Sequence, residues 1–270
     1  MDWNKTKTIF IIVFSIVNIF LYSLYVNKLI EAESVQVMWK TPIEEILKMD
    51  NITYDELPPY KNDPFYVSAK PLLFTDEQVE KLENQVGIIV DETLLQSTMK
   101  EPVSILNAKG DFDFTEFISD YVLDGAEYML WELDKDEGRA LFFQKVVDDP
   151  IYYSRNAALT IYWNKNGKVT NYEQSMLGEF DSFNRKNDLL SPIEAIGNLY
   201  SLGHLKKDYK VKHMTLGYSS LVQVTETQVF APTWHIRVEL KDGEREDYFI
   251  NAIDGMVIEF QPEPSEEEKE

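Results

Sequence analysis

The run IFIIVFSIVNIFLYSLYV, residues 9–26, constrains this chain more than any other stretch. It carries no charged side chain. A helix needs about 20 apolar residues to cross the hydrocarbon core of a bilayer, and this run lies at the lower end of that range. Asp2, Lys5 and Lys7 precede it, and Lys28, Glu31 and Glu33 follow it. Two lysines and the amino terminus on the short leading side favour a cytoplasmic N-terminus with the remainder outside. A buried core helix fits poorly. An all-round apolar helix needs protein on every side, and only residues 1–8 precede this one. A cleaved signal peptide stays open, with an apolar region of roughly 7–15 residues and Ala32 and Ser34 as a small-x-small site.

The run also has a face. Ser15, Asn18, Tyr22 and Tyr25 follow one another at helical spacing, and Ile11 and Thr8 extend the register backwards. That is the seam of a helix pair. Small and polar residues drive helix association in lipid, where apolar side chains do not. Asn18 falls near the bilayer centre, where its amide needs hydrogen-bond partners that water does not supply. Ile11, Ser15, Asn18, Tyr22 and Tyr25 are therefore the candidate partner-binding residues. A second reading gives Tyr22 and Tyr25 to the outer aromatic belt and leaves Ser15 and Asn18 as tolerated singletons.

Charge narrows the partners. The chain holds 47 acidic and 26 basic residues, for a net charge of −21. Lys5, Lys7 and Lys28 cancel Asp2, Glu31 and Glu33, so the whole excess lies in residues 34–270. Such a surface repels nucleic acid and anionic lipid. Hydrophobic residues make up 44% of the chain, enough for a sizeable core. There is no cysteine. A secreted eukaryotic domain is usually stapled by disulfides, so an ectodomain without them fits the outer face of a bacterial plasma membrane.

The local signals predict an α+β chain. Thr41, Pro42 and Glu44 predict a capped helix over 41–50. Residues 51–64 read as loop. Residues 65–74 read as a strand whose end Pro71 demotes to an edge. A capped helix over 75–85 and one strand through VGIIVDETLLQSTM follow, then a short strand between Pro102 and Gly110. A helix over 114–124 leads into four strands, with turns at KDEG and at Asn166–Gly167, a two-residue hairpin signal. Residues 178–190 read as an irregular boundary. Ser191, Pro192 and Glu194 predict a capped helix to about Gly203. Four more strands turn at Lys241-Asp242-Gly243 and Asp254–Gly255. One helix and four antiparallel strands thus occur twice, at about 114–176 and 191–260, a possible duplicated unit. The expected domains are a stub and anchor (1–33), a first extracytoplasmic α+β domain (34–180), a second (181–262) and an acidic disordered tail (263–270).

Catalytic patterns are missing from the sequence. His204, His213 and His235 lack metal-ligand spacing, and no HExxH, nucleophile elbow, phosphate loop or dinucleotide fingerprint occurs. The acidic sets Asp111, Asp113, Glu116 and Asp134, Asp136 match no calcium loop. His213 and His235 read as satisfied sheet residues. Tyr152, Tyr153, Tyr162, Trp163, Trp234, Tyr248 and Phe249 read mainly as core and cross-strand pairs. No catalytic residue, metal or cofactor is expected, and the balance shifts from enzyme toward interaction module.

The opening MDWNKTKTIFIIVFSIVNIFL resembles the start of the YycI (WalI) proteins of low-GC Gram-positive bacteria. Those begin with a DW-x-K-T-K-T-I-F-I run leading into one transmembrane helix. Asp2, Trp3, Lys5, Thr6, Lys7, Thr8, Ile9, Phe10 and Ile11 supply it here. YVSAK at 66–70, FTDEQVEKL at 74–82 and WHIRVEL with DYFINAIDGMVIEF near the end are similar to that family too, and the last stretch also resembles a PepSY-type module. The resemblance implies a single-pass accessory protein, not an enzyme, that associates with the sensor histidine kinase YycG (WalK) and the related protein YycH (WalH) in the lipid bilayer. It implies regulation of an essential two-component system controlling cell-wall metabolism. The alternative is an extracytoplasmic peptide- or wall-fragment-binding module that the helix merely tethers, and a cell-wall enzyme is the third possibility.

Overall fold

The computed structural model describes residues 7, 10–11, 13–23, 42–59, 66–183, 188–223 and 227–260. Residues 13–23 are helical, and every described side chain from Phe10 to Ser23 is exposed. Among the described residues no helix is long and apolar enough to cross a membrane. Thr8, Tyr25, Ala32, Ser34, Thr41 and the acidic tail lie outside the described residues.

The rest is a sheet-dominated mixture of strands and short helices, as an α+β chain should be. The order is α1 (Ile43–Met49), β1 (Thr53–Tyr54), β2 (Tyr66–Pro71), α2 (Asp76–Glu80), β3 (Gln85–Val90), β4 (Leu94–Ser104) and α3 (Thr115–Tyr121). Then come β5 (Tyr128–Asp134), β6 (Arg139–Val146), β7 (Asp149–Tyr152), β8 (Ala158–Trp163), β9 (Lys168–Ser175) and β10 (Leu177–Phe183). The chain continues with α4 (Pro192–Ser201), β11 (Lys210–Gln223), β12 (Gln228–Glu239), β13 (Arg245–Asn251) and β14 (Val257–Ile258). The strands join in the order β10-β2-β12-β11-β7-β6-β8-β9-β4-β3, with β1 on β11, β13 on β12, β14 on β13 and β5 on β6.

Local chemistry explains where several elements begin. Ser191 Oγ accepts from the Glu194 amide while Glu194 Oε2 accepts from the Ser191 amide, and Pro192 opens α4. Such a cap is worth about 1 kcal/mol. Thr75 and Gln78 close the same box at α2. α1 starts at Ile43 with Pro42 as its N-cap rather than its first helical residue, and Thr41, the predicted cap and partner of Glu44, lies outside the described residues. At the β8–β9 turn only Gly167 is left-handed (φ 66°), and Asn164 Oδ1 accepts from the amides of Asn166 and Lys168. The hairpin forms, but as a loop centred on Asn164 rather than a two-residue turn.

Several sequence expectations give way to pairing. VGIIVDETLLQSTM is a hairpin rather than one strand, because Asp91 and Glu92 turn the chain with φ of 48° and 61°. The strand predicted between Pro102 and Gly110 is the end of β4 plus one isolated bridge, Leu106 with Phe112. The region predicted as an irregular boundary opens with β10, and β7 is an unpredicted strand. β2 lies between β10 and β12, but β12 reaches only Val67, Ser68 and Ala69, so Lys70 and Pro71 pair with β10 alone and the end of the strand is the edge that Pro71 signals. Pairing is not all antiparallel: β1 and β7 both run parallel to β11.

Two cores result. The first gathers Phe74, Leu95, Phe114, Phe117, Phe142, Leu159, Trp163 and Tyr172 between α3 and the β5–β9 meander. The second gathers Ile43, Leu47, Ile196, Leu199, Trp234, Ile236 and Ile250 between α1, α4 and β11–β13. The sequence reading placed residues 34–180 in one unit, whereas Ile43, Leu47 and Ile52 pack with the C-terminal strands and β2 pairs with β12. Alternation along a strand produces both faces. On β12, Trp234, Ile236 and Val238 point toward the helices, so His235 and Arg237 point the other way, toward the first unit.

Candidate functional site: an ionic and aromatic seam between the sheets

The faces turned away from the helices meet in a seam. From the first unit come Trp131 on β5, Phe143 on β6 and Tyr152 on β7. From the second come His235, Arg237, Asp247 and Phe249. The Trp131 ring sits 4.7 Å from the His235 ring and 5.5 Å from that of Tyr152, both edge-on. The Arg237 guanidinium lies 6.0 Å from the Trp131 ring centre, at the outer limit of a cation–π contact. Tyr153, Phe249 and Phe260 extend the stack toward the surface.

The register of one hairpin assembles the charged part. Arg237 is directly opposite Asp247, and His235 directly opposite Phe249. Arg237 Nε donates to Asp247 Oδ1 at 2.8 Å and Nη2 to Oδ2 at 3.1 Å. His235 Nε2 donates to the same Oδ1 at 2.6 Å. Its Nδ1 then faces Thr215 Oγ1 at 3.4 Å, and Tyr152 lies 3.2 Å from that hydroxyl. Burial alone would raise the Asp247 carboxyl. The hydrogen bonds and charges of His235 and Arg237 outweigh it and hold the carboxyl at about 2. Burial, and then the charges of His235 and Arg237, lower His213. Burial pushes the Tyr152 hydroxyl up.

A hydroxyl, an imidazole and a carboxylate in line are the order hydrolases use. Here the arrangement is a structural pairing. The Thr215–His235 contact is long, Tyr152 already engages the Thr215 hydroxyl, and Arg237 clamps the carboxylate in a fork. Each polar group thereby finds a partner in a place where an unpaired one would be costly. A cleft of about 460 Å³ opens beside the seam, lined by Pro58, Pro59, Trp131, Asp148, His213, Thr215, Trp234 and Arg237 among others.

The aromatics singled out from sequence divide among three places. Tyr152, Tyr153 and Phe249 enter the seam, Trp163 the first core and Trp234 the second. Tyr162 and Tyr248 are half-buried. His235 is a satisfied sheet residue as read, 1% exposed. Trp131, Arg237 and Asp247 escaped the sequence reading. The Asp242–Gly243 turn carried the signal, since residues equidistant from it, Arg237 and Asp247 or His235 and Phe249, must face each other. The acidic sets form turns: Asp113 Oδ1 accepts from the Thr115 amide, and Asp134 Oδ1 from those of Asp136 and Glu137. Among the described residues no cluster suits a metal ion.

Of the predicted helix face, Ile11, Ser15, Asn18 and Tyr22 are described and exposed, and Tyr25 lies outside the described residues. Asn18 Nδ2 donates to Phe14 O at 2.8 Å, one turn back. That commits one of its two donors within its own helix.

No curated protein matches the chain. One solved structure similar to it is an uncharacterized protein from Eubacterium rectale ATCC 33656, at 11% identity with a TM-score of 0.46, covering 78% of this chain and 92% of that one. The family matched over residues 32–253 is the YycI protein family. The match spans most of the chain and both sheets, so the chain belongs to the YycI family, a family of regulatory accessory proteins associated with the YycFG two-component system.

Proposed function

We propose that this chain is a plasma-membrane regulator, held by one N-terminal helix with its N-terminus in the cytoplasm. In this reading the helix biases the transmembrane bundle of the sensor kinase YycG (WalK), alongside the related protein YycH (WalH). One observation carries the reading. Every described side chain from Phe10 to Ser23 is exposed, including Phe14 and Ile19 at 70% and Phe20 at 61%. Each such side chain gains about 1.5–3 kcal/mol on leaving water, so lipid or a partner helix must cover them. Ser15, Asn18 and Tyr22 give that apolar cylinder one polar stripe.

The magnitudes agree. Regulation needs a coupling of about 1–3 kcal/mol, which changes output 5–150-fold. An inter-helix hydrogen bond in lipid supplies about 0.6–2 kcal/mol. Asn18→Leu should therefore weaken kinase regulation several-fold while the sheets stay folded, and a kinase-dependent reporter that does not change sinks the idea. The absence of cysteine allows a direct map. Single cysteines at Ile11, Ser15, Asn18, Tyr22 and Tyr25 should crosslink to a kinase carrying its own membrane cysteine. Controls at Ile12, Ile16 and Ile19 should not.

The cleft beside Trp131 and His213 favours a second reading, an extracytoplasmic module that binds a peptide or wall fragment and is only tethered by its helix. A chain freed of residues 1–33 would then still regulate, whereas the leading reading requires that it fail.

A further inference from the structure

The strand path ends at β3, which pairs with β4 alone. The Lys100 amide donates to Asn84 O at 2.8 Å, so position 84 turns its backbone polar groups toward β4. Antiparallel pairing alternates, and the β3–β4 register runs without a shift. Positions 86, 88 and 90 therefore also face β4. Gln85, Gly87 and Ile89 send their N–H and C=O groups outward, along an edge that no described strand covers. α2 lies over the core face of the strand, where a Cβ at Gly87 would come 2.6 Å from Val79 Cγ1. It shields that face and leaves the edge open.

Free edges invite pairing, and proteins usually blunt them. Three other described edge strands are blunted. β10 carries Glu179 in a left-handed conformation, a register shift between Gly178 and Asp181, and the Lys70–Glu179 ion pair. β5 carries Glu132 and Asp134 and a shift between Leu130 and Glu132. β14 is two residues long. β3 reads QVGIIV, with no charge, no proline and no shift. On its solvent face Val86 is 54% and Ile88 61% exposed.

Charge says what fits there. Glu80 and Glu83 flank one end of the strand and Asp91 and Glu92 the other, all exposed. Of the lysines beside it in the chain and across β4, Lys81 is bonded to Glu77 and Lys100 stands opposite Asn84 at the acidic Glu83 end. A second copy in antiparallel pairing would set its Glu83 end against the Asp91–Glu92 end of the first, on chains that each carry −21. Self-pairing is thus opposed by like charges, and a cation-flanked strand is favoured. We propose that β3 is a docking edge that accepts an extended segment of a partner protein, with alternating apolar residues bracketed by lysine or arginine. The bond is β-augmentation, in which backbone pairing gives affinity and alternate side chains give specificity. It stands independently of the helix-based reading of function.

The test uses the full chain in lipid nanodiscs and a fluorescent peptide of alternating valine and threonine with two lysines at each end. Binding is read by anisotropy. We expect saturable binding that slows amide exchange at Gly87 and Ile89. N-methylating alternate amides along one peptide edge should weaken binding at least tenfold, while methylating the other edge leaves it intact. Exchanging the terminal lysines for glutamates, or introducing Ile88→Lys in the chain, should each weaken it at least tenfold. Equal binding by both methylated peptides, or no binding at all, overturns the proposal. Self-association in sedimentation that Ile88→Lys abolishes would assign the edge to a second copy and overturn it equally. Kinase regulation that survives Ile88→Lys leaves the helix-based reading standing whichever way the peptide experiment falls.

Discussion

The two faces of the β11–β13 meander share one backbone and one hairpin register, yet they are held by different physics. Toward α1 and α4 the face is Trp234, Ile236, Val238 and Ile250, each at most 2% exposed. Its stability scales with apolar area removed from water and tolerates small changes of shape. Toward the first unit the face is Thr215, His235, Arg237 and Asp247 beneath an aromatic lid. There a one-residue slip would unpair every polar group at once. One face supplies bulk stability, and the other specifies how the two sheets meet.

The sharpest way to break that contrast is at its largest buried side chain. Trp234→Ala removes a ring whose Nε1 donates to Leu190 O at 2.8 Å. It should cost about 4 kcal/mol in chemical denaturation followed by far-ultraviolet circular dichroism. A loss below about 1 kcal/mol would mean that the helix-side face is not the main source of stability.

Asp247→Asn comes next. It keeps the shape but removes the charge that holds Arg237 and His235, and should cost about 2 kcal/mol. If the seam obeyed area alone, the same denaturation experiment would find no change.

The smallest effect is the most selective. The Asp247 carboxyl falls from its ordinary 3.8 to about 2 in the folded state. Its contribution is present above about pH 4 and is lost as pH falls from there toward 2. The side chain is 33% exposed, so after solvent screening the contribution is about 1 kcal/mol. Stability measured from pH 5 to 2 should show this slope in the parent and lose it in Asp247→Asn. Trp234→Ala should keep it.

Much of the fold was legible because its signals are local. Ser191-Pro192-Glu194 and Thr75–Gln78 announce their helices, and Asp242–Gly243 announces the β12–β13 hairpin. The misses share a cause. Asp91 and Glu92 turn the chain left-handed with no glycine to mark it. β10 looks irregular because a bulge at Glu179 interrupts it. Pro71 marks the one-sided end of β2, but the strand's place in the order depends on partners more than a hundred residues away, β10 and β12. The seam was half legible. Its aromatics stand out in sequence, whereas Trp131 reaches His235 only after the two sheets have closed on each other. Helical spacing alone marked the N-terminal stripe, and it did not foresee that Asn18 spends a donor on its own helix.

The pairing of Leu177 with Pro71 has a consequence in time. It sets the two ends of the stretch between β2 and β10 side by side, so the first core, Phe74 to Met176, closes within one uninterrupted piece of chain. The second core needs Ile43 and Leu47 together with Trp234 and Ile250. As the polypeptide lengthens from its N-terminus, the middle can finish while α1 still waits for its core and β2, already beside β10, waits for β12. The older segment is completed by the younger one, and the last strands to emerge lock the first.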